Sequence, residues 1–133
     1  MAMSKAYQTY QNNSVNTATS GELTLKLYNG CIKFIKQAMQ DLENKNYEAK
    51  NTNIKKSQNI IHELMVTLDM NIDISRQIMP LYEYIQYQLK EANIKNDSQA
   101  LEEALNYVVE FRDTWKEVLK ITRQQQYVKD GRV

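Results

Sequence analysis

Apolar residues recur at intervals of three and four along four stretches of the chain, and polar residues fill the positions between them. Because a helix turns about 100° per residue, this spacing places the apolar side chains on one face of each helix. Short polar breaks separate the four stretches, which is typical of an up-down bundle. The sequence therefore predicts an all-α protein. Its parts are an antiparallel four-helix bundle over residues 19–125, a mobile N-terminal arm over 1–18 and a frayed tail over 126–133.

Polar turn residues set the expected ends of the helices. Thr19 and Glu22 have the spacing of a capping box at the start of the first helix. The first expected helix runs from about 20 to 44, and the second from the break at 44–46 to about 69. The third ends near 93, and the fourth runs from a cap at 96–99 to about 125. Pro80 leaves the start of the third helix open. Either that helix begins near Met79, or it begins by Ser75 and its first turns are bent.

The apolar faces of the first and fourth helices are unusually wide. On the first helix two stripes cover roughly 200° of the helical wheel, about twice what one buried face needs. The expected inner stripe is Leu23, Leu27, Cys31, Phe34, Ala38 and Leu42, and the outer stripe is Leu25, Tyr28, Ile32, Ile35 and Met39. On the fourth helix Ala104, Val108, Phe111, Trp115 and Val118 should face inward, with Leu101, Leu105, Val109 and Leu119 extending the arc.

Two interpretations of this width stay open. Each helix of a bundle touches two neighbours, which broadens the buried face without any ligand. Alternatively, the outer part of the arc is a groove that binds an amphipathic or extended polypeptide. Arg112 lies within the apolar arc, so it should either pair with Glu63 or Glu83 inside the chain or contact a bound polypeptide.

Composition excludes several classes of function. Only three glycines and one proline occur in 133 residues, too few for the turns of a sheet protein. The net charge of +1 lacks the basic surplus of a nucleic-acid binder, and no apolar run is long enough for a signal peptide or membrane span. The single cysteine, Cys31, excludes an internal disulfide and suits a reducing compartment. We therefore expect a cytoplasmic protein that inserts into no membrane.

Residues for catalysis or cofactor binding are scarce. His62 is the one histidine, so the paired Glu-x-x-His motifs of a di-iron bundle are absent. We expect His62 to be exposed, which suggests phosphotransfer. However, phosphotransfer sites resemble His-x-Leu-Lys-Gly, and here Met65 and Val66 occupy the positions of the lysine and the glycine. Glu63 also adds negative charge beside His62. The sequence predicts no enzyme activity, cofactor or metal site, with phosphotransfer through His62 a minor alternative.

Several strings, in order and spacing, resemble the FliS family of flagellin export chaperones over nearly the whole chain. The strings are Tyr7-x-x-Tyr10-Gln11, Thr17 to Leu23, Leu27 to Gly30, Asn59-Ile60-Ile61-x-Glu63-Leu64, Leu81-Tyr82-x-Tyr84 and Phe111-Arg112-x-x-Trp115. The chain departs from the family pattern at Ser20, Asn29 and Phe111, where proline, aspartate and leucine are usual.

The resemblance implies a bundle that binds the C-terminal segment of unpolymerised flagellin and presents it to a membrane protein of the flagellar export gate. Combined with the wide apolar arcs, it suggests client contacts by Tyr7, Tyr10, Leu25, Tyr28, Ile32, Ile35, Leu105, Val109 and Arg112. A competing hypothesis is that the wide arcs bury one another in a homodimer or larger homo-oligomer.

The N-terminal arm yields a testable prediction. Tyr7 and Tyr10 lie three residues apart, so in a helical turn both rings cover one side. The resemblance implies that the arm covers the groove and moves aside for the client. Deleting residues 1–13 should then tighten client binding modestly and raise binding of a hydrophobic dye, because apparent affinity scales with the uncovered fraction. Weakened client binding would show instead that the tyrosines contact the client, and unchanged binding would show that the arm has no role.

Overall fold

The computed structural model describes residues 20–129, apart from the side chains of Tyr127 and Lys129. This part of the chain forms four helices: α1 (Ser20–Glu43), α2 (Tyr47–Val66), α3 (Asp73–Lys95) and α4 (Ser98–Lys129). It contains no strand, and the predicted all-α four-helix bundle is confirmed. The arm, with Tyr7, Tyr10 and the predicted cap Thr19, lies outside the described residues.

Each helix packs against two others. α1 contacts α2 and α4, and α3 contacts the same two helices from the opposite corner. Arg112 of α4 meets Asn29, while Arg123 meets Glu22 at the start of α1, so these two helices run antiparallel. The buried apolar side chains are Leu23, Leu27, Tyr28, Cys31, Ile32, Ile35 and Ala38 from α1, Ile54, Ile61 and Leu64 from α2, Tyr82, Ile85, Leu89 and Ala92 from α3, and Ala100, Leu101, Ala104 and Val108 from α4.

Side chains of the short connections end and begin the helices. The side chain of Asn46 accepts a hydrogen bond from the Ala49 amide at 3.2 Å and caps α2. Asn96 ends α3 in the left-handed conformation, with φ of 52°. Asp97 then accepts from the amides of Gln99 and Ala100, so the predicted 96–99 cap is confirmed.

A buried lysine joins α2 to the end of α3. Lys50 is 2% exposed, and its Nζ donates to the Asn93 carbonyl at 2.9 Å and to Oδ1 of Asn96. Burial lowers the pKa of this ammonium group. Because the carbonyls at a helix C-terminus carry partial negative charge, Lys50 stabilises the end of α3.

α3 begins at Asp73, so Pro80 lies inside the helix and the open question about its start is settled. Pro80 lacks an amide hydrogen, which leaves the carbonyl of Arg76 without its helical donor. The first turn has no side-chain cap at Ile72, but the Arg76 guanidinium pairs with Asp73 and donates to the Met70 carbonyl at 2.7 Å. At the other end of the chain α4 continues to Lys129, past its expected end near residue 125, because no glycine or proline interrupts it there.

The division of α1 into inner and outer stripes was wrong. Ile35, expected on the outer stripe, is fully buried, and Ile32 is 6% exposed. Phe34, expected inside, is only half-buried, and the ammonium groups of Lys33 and Lys56 lie 5.8 and 5.2 Å from its ring centroid. The physical reason is that α1 packs against α2 on one side and α4 on the other, so its buried arc is centred between the two stripes.

The corrected burial predicts the relative cost of two truncations. Ile35→Ala should lower the free energy of unfolding by about 2–5 kcal/mol, because it opens a cavity in the core. Phe34→Ala should cost clearly less, because that side chain is already partly exposed to solvent. Urea denaturation of both variants, followed by circular dichroism, measures the difference. An equal or larger loss for Phe34→Ala would contradict this assignment of the core.

Candidate client-binding groove

An open apolar groove of about 860 Å³ lies at the end of the bundle where α1 and α3 begin. All four helices contribute to it. We call it the end groove and define it by Thr24, Tyr28, Leu64, Thr67, Leu68, Ile74, Ile78, Leu81, Tyr82, Tyr107, Glu110, Phe111, Asp113, Thr114, Trp115 and Val118.

Large apolar side chains remain exposed around the mouth of the end groove. Ile74 is 55% exposed, and Leu81 and Val118 are each 40% exposed. The end of α2 adds Val66 at the same end, and the connection between α2 and α3 adds Met70 and Ile72, all three exposed. Such a concentration of uncovered apolar surface on a folded domain is typical of an interaction site.

Three aromatic rings form the floor of the end groove. The hydroxyl groups of Tyr28 and Tyr82 are hydrogen-bonded at 2.6 Å. The ring of Phe111 stacks on Tyr28 with centroids 6.0 Å apart and packs against Tyr82 at 5.2 Å. Burial raises the pKa of Tyr82, and the adjacent Tyr28 raises it further, while burial also raises the pKa of Tyr28. The phenols therefore stay protonated, and the floor is apolar with its polar groups satisfied.

The α4 wall of the groove is attached to the first turn of α1. Trp115 donates from its indole Nε1 to the carbonyl of Gly21 at 2.7 Å. About two turns further along α4, Arg123 pairs with Glu22 at 2.6 Å. These contacts hold the indole of Trp115 at the groove and join the second half of α4 to the first turn of α1.

The residues predicted from the sequence as client contacts fall in different places. Tyr28 lines the end groove, whereas Ile35 and Ile32 are buried between helices. Leu25, Leu105 and Val109 are half-buried and do not line the groove. The α1–α4 face proposed from the wide arcs is largely a packed helix interface, so the open surface lies at the end of the bundle instead.

Arg112 is engaged within the chain, but not by the acids suggested from the sequence. Its Nε pairs with Asp113 at 2.7 Å, and its Nη1 donates to Oδ1 of Asn29 at 3.1 Å. Neither Glu63 nor Glu83 is its partner, because Arg112 lies on the α1–α4 side of the bundle, where Asn29 faces it.

The α3 side of the groove was not predicted from the sequence. Ile74, Ile78 and Leu81 have the i, i+4, i+7 spacing of one helical face. That signal was present in the sequence, but it spans Pro80, and the uncertain start of α3 concealed it. Leu68 was missed for a related reason, since it follows the last turn of α2.

The described residues show little that could support catalysis. Between residues 20 and 129 no group of three or more His, Cys, Asp or Glu side chains could hold a metal ion. Cys31 is buried, and burial raises the pKa of its thiol well above the usual value, so the reactive thiolate is disfavoured. Within the same range no helix is long and apolar enough to cross a membrane.

A helical bundle with an open apolar groove matches the helix-in-groove arrangement that proteins use to bind another polypeptide. Comparison with known proteins identifies the family. The family model described as "Flagellar protein FliS" matches residues 3–122. A Bacillus subtilis protein named flagellar secretion chaperone FliS is 50% identical over 98% of each chain. A Salmonella typhimurium protein of the same name is 30% identical, covering 86% of this chain and 87% of its own.

The chain therefore belongs to the FliS family of flagellar secretion chaperones. It is a chaperone and not an enzyme. A solved structure described as a flagellar chaperone from bacteria shares the fold, with a TM-score of 0.71 at 19% identity. That similarity covers 87% of this chain and 96% of the other.

The aromatic floor predicts a loss of stability in alkali. Because Tyr28 and Tyr82 have raised pKa values when folded, only the unfolded state releases their protons as pH rises past about 10. The free energy of unfolding should fall between pH 9 and 11, and it should fall less in the double variant Tyr28→Phe, Tyr82→Phe. Urea denaturation at each pH measures both slopes. Equal slopes would contradict the assignment of this loss to the two phenols.

Proposed function

We propose that this protein is a cytoplasmic export chaperone that binds the C-terminal segment of unpolymerised flagellin in the end groove. While bound, that segment is unavailable for premature polymerisation. The loaded chaperone then presents it to the membrane protein of the flagellar export gate. The observation that carries the proposal is the uncovered apolar groove on a chain of the FliS family.

The shape and chemistry of the end groove suit a helical or extended segment with one apolar face. Its walls are mostly helices, with Thr67 and Leu68 added by the connection between α2 and α3, so little conformational entropy is lost by the chaperone on binding. Tyr107, Trp115 and Leu81 offer large apolar contact areas, and Glu110 on α4 offers an acceptor at the side. A client that orders on binding spends part of its interaction energy on that ordering, so the complex can remain reversible for hand-off.

The residues predicted from the sequence as client contacts have different roles in this proposal. Tyr28 contacts the client from the groove floor, and Leu25, Leu105, Val109 and Arg112 lie along the half-buried α1–α4 side, where a longer client segment can continue. Ile32 and Ile35 contribute by supporting α1 from within. Tyr7 and Tyr10 lie outside the described residues, and for them the proposal keeps the role expected from the sequence, an arm that competes with the client for the groove.

Self-association is the second candidate, and the exposed side chains Ile74, Leu81 and Val118 are the observation that favours it. The same apolar mouth can pack against a second copy of the chain. Light scattering of the chain alone and mixed with flagellin distinguishes the two. A one-to-one complex with flagellin supports the chaperone, whereas a stable oligomer that excludes flagellin supports self-association.

A matched pair of substitutions on α3 tests the position of the client site. Leu81→Asp places a carboxylate at the groove wall and should weaken binding of a tryptophan-free flagellin C-terminal peptide by about tenfold or more. Ile94→Asp makes the same change on the same helix at a residue that is 67% exposed and outside the groove, so it should leave binding unchanged.

Trp115 provides the measurement for this pair. It is the one tryptophan of the chain and lines the end groove, so its emission should shift as the peptide displaces water. Peptide titrations followed at this emission give the dissociation constants. Equal weakening by Leu81→Asp and Ile94→Asp, or none by Leu81→Asp, would place the client elsewhere.

A further inference from the structure

The outer surface of the α1–α2 pair carries lysines and no exposed carboxylate over most of its length. On α1 the exposed side chains from residue 26 to 40 are Lys26, Asn29, Lys33, Lys36, Gln37 and Gln40. On α2 the exposed side chains from residue 51 to 62 are Asn51, Thr52, Lys55, Lys56, Asn59 and His62. Since the whole chain has a net charge of only +1, this surface is a local concentration of positive charge.

Four of these lysines have no ion-pair partner among residues 20–129: Lys33, Lys36, Lys55 and Lys56. Asp41, a carboxylate between the two helices, is buried. Its oxygens already accept from the amides of Gln37 at 3.0 Å and Asn53 at 2.7 Å. The lysine charges are therefore not neutralised by neighbouring acids of the described chain.

An apolar centre lies among the lysines. The half-buried ring of Phe34 has the ammonium groups of Lys33 and Lys56 within 6 Å of its centroid. Elsewhere on the outer side of α1 a shallow depression of about 380 Å³ is lined by Ile32, Lys33, Lys36, Gln37 and Gln40. We call the surface formed by Lys33, Lys36, Lys55, Lys56 and Phe34 the lysine face. It combines carboxylate-pairing groups with an apolar contact.

The lysine face points away from the end groove. Thr24 lines the groove, and Lys33 follows it by nine residues on α1. At about 100° per residue, these two side chains lie on opposite sides of the helix. A partner on the lysine face and a client in the end groove therefore occupy separate surfaces of the same bundle.

We propose that the lysine face binds a glutamate- or aspartate-rich segment of a partner protein, and that it does so whether the end groove is empty or filled. The apolar centre matches a polypeptide that alternates acidic and apolar side chains. A nucleic acid or an anionic membrane would meet this surface through charge alone, and a chain of net charge +1 attracts such extended polyanions weakly. The partner class is therefore an acidic polypeptide segment.

The experiment uses a fluorescently labelled synthetic peptide of glutamate with leucine at every third or fourth position, titrated with the full chain and followed by anisotropy. Saturable binding that weakens as salt rises is expected. The triple variant Lys33→Glu, Lys36→Glu, Lys56→Glu should weaken it by about tenfold or more. The control, Lys90→Glu, Lys116→Glu, Lys120→Glu, makes the same change in net charge on exposed lysines of α3 and α4 and should retain binding.

The outcomes separate this inference from the proposed function. The lysine-face triple variant should keep the wild-type affinity for the flagellin peptide, and the wild-type chain saturated with flagellin peptide should still bind the acidic peptide. The proposal is overturned by absence of acidic-peptide binding, by equal weakening in both triple variants, or by competition between the two peptides. Binding to phosphatidylglycerol vesicles or single-stranded DNA without binding to the acidic peptide would also overturn it.

Discussion

The hydrogen bond between the hydroxyl groups of Tyr28 and Tyr82, covered by the ring of Phe111, divides the bundle into two parts. It joins α1 to α3 across the bundle, and Phe111 joins both to α4. On one side of it Ile35, Ile61 and Leu89 fill a closed core. On the other side apolar side chains from all four helices line the open end groove. The three rings therefore lie at the boundary between the closed core and the open groove.

The remaining contacts hold this arrangement from both ends of the bundle. Near the groove, Trp115 and Arg123 attach α4 to the first turn of α1. At the far end, Lys50 stabilises the last carbonyls of α3 just before the chain turns into α4. With the helices held at these points, the groove is a largely preformed surface, which suits a chaperone whose client has to order itself on binding. The lysine face, on the opposite side of α1, leaves a second surface for a partner of different chemistry.

The particular errors of the sequence analysis have one cause. The wide apolar arc of α1 was divided into a core stripe and a free stripe, yet α1 buries both by packing between α2 and α4. Phe34 was consequently predicted in the core and Ile35 on the free stripe, whereas Ile35 is buried and Phe34 is half-buried. The two residues are adjacent in sequence and similar in hydrophobicity. On α3 the apolar face of Ile74, Ile78 and Leu81 followed the helical period, but Pro80 within it made the helix itself uncertain. The sequence therefore directed attention to α1 and α4, whereas the structure also opens a groove at the end where α3 begins.

Local chemistry, which is visible in sequence, determined the helical class, the number of helices, the cap at residues 96–99 and the burial of Cys31. Helical period and capping depend on residues within a few positions of one another, so the chain alone specifies them. The family resemblance was likewise carried by short strings and their spacing. Only the tertiary structure decided which apolar face stays uncovered, that Arg112 bonds to Asn29 across the α1–α4 interface rather than to a distant glutamate, and that Lys50 is buried. Those outcomes depend on where neighbouring helices approach and where they diverge, a property of packing that no single helix encodes.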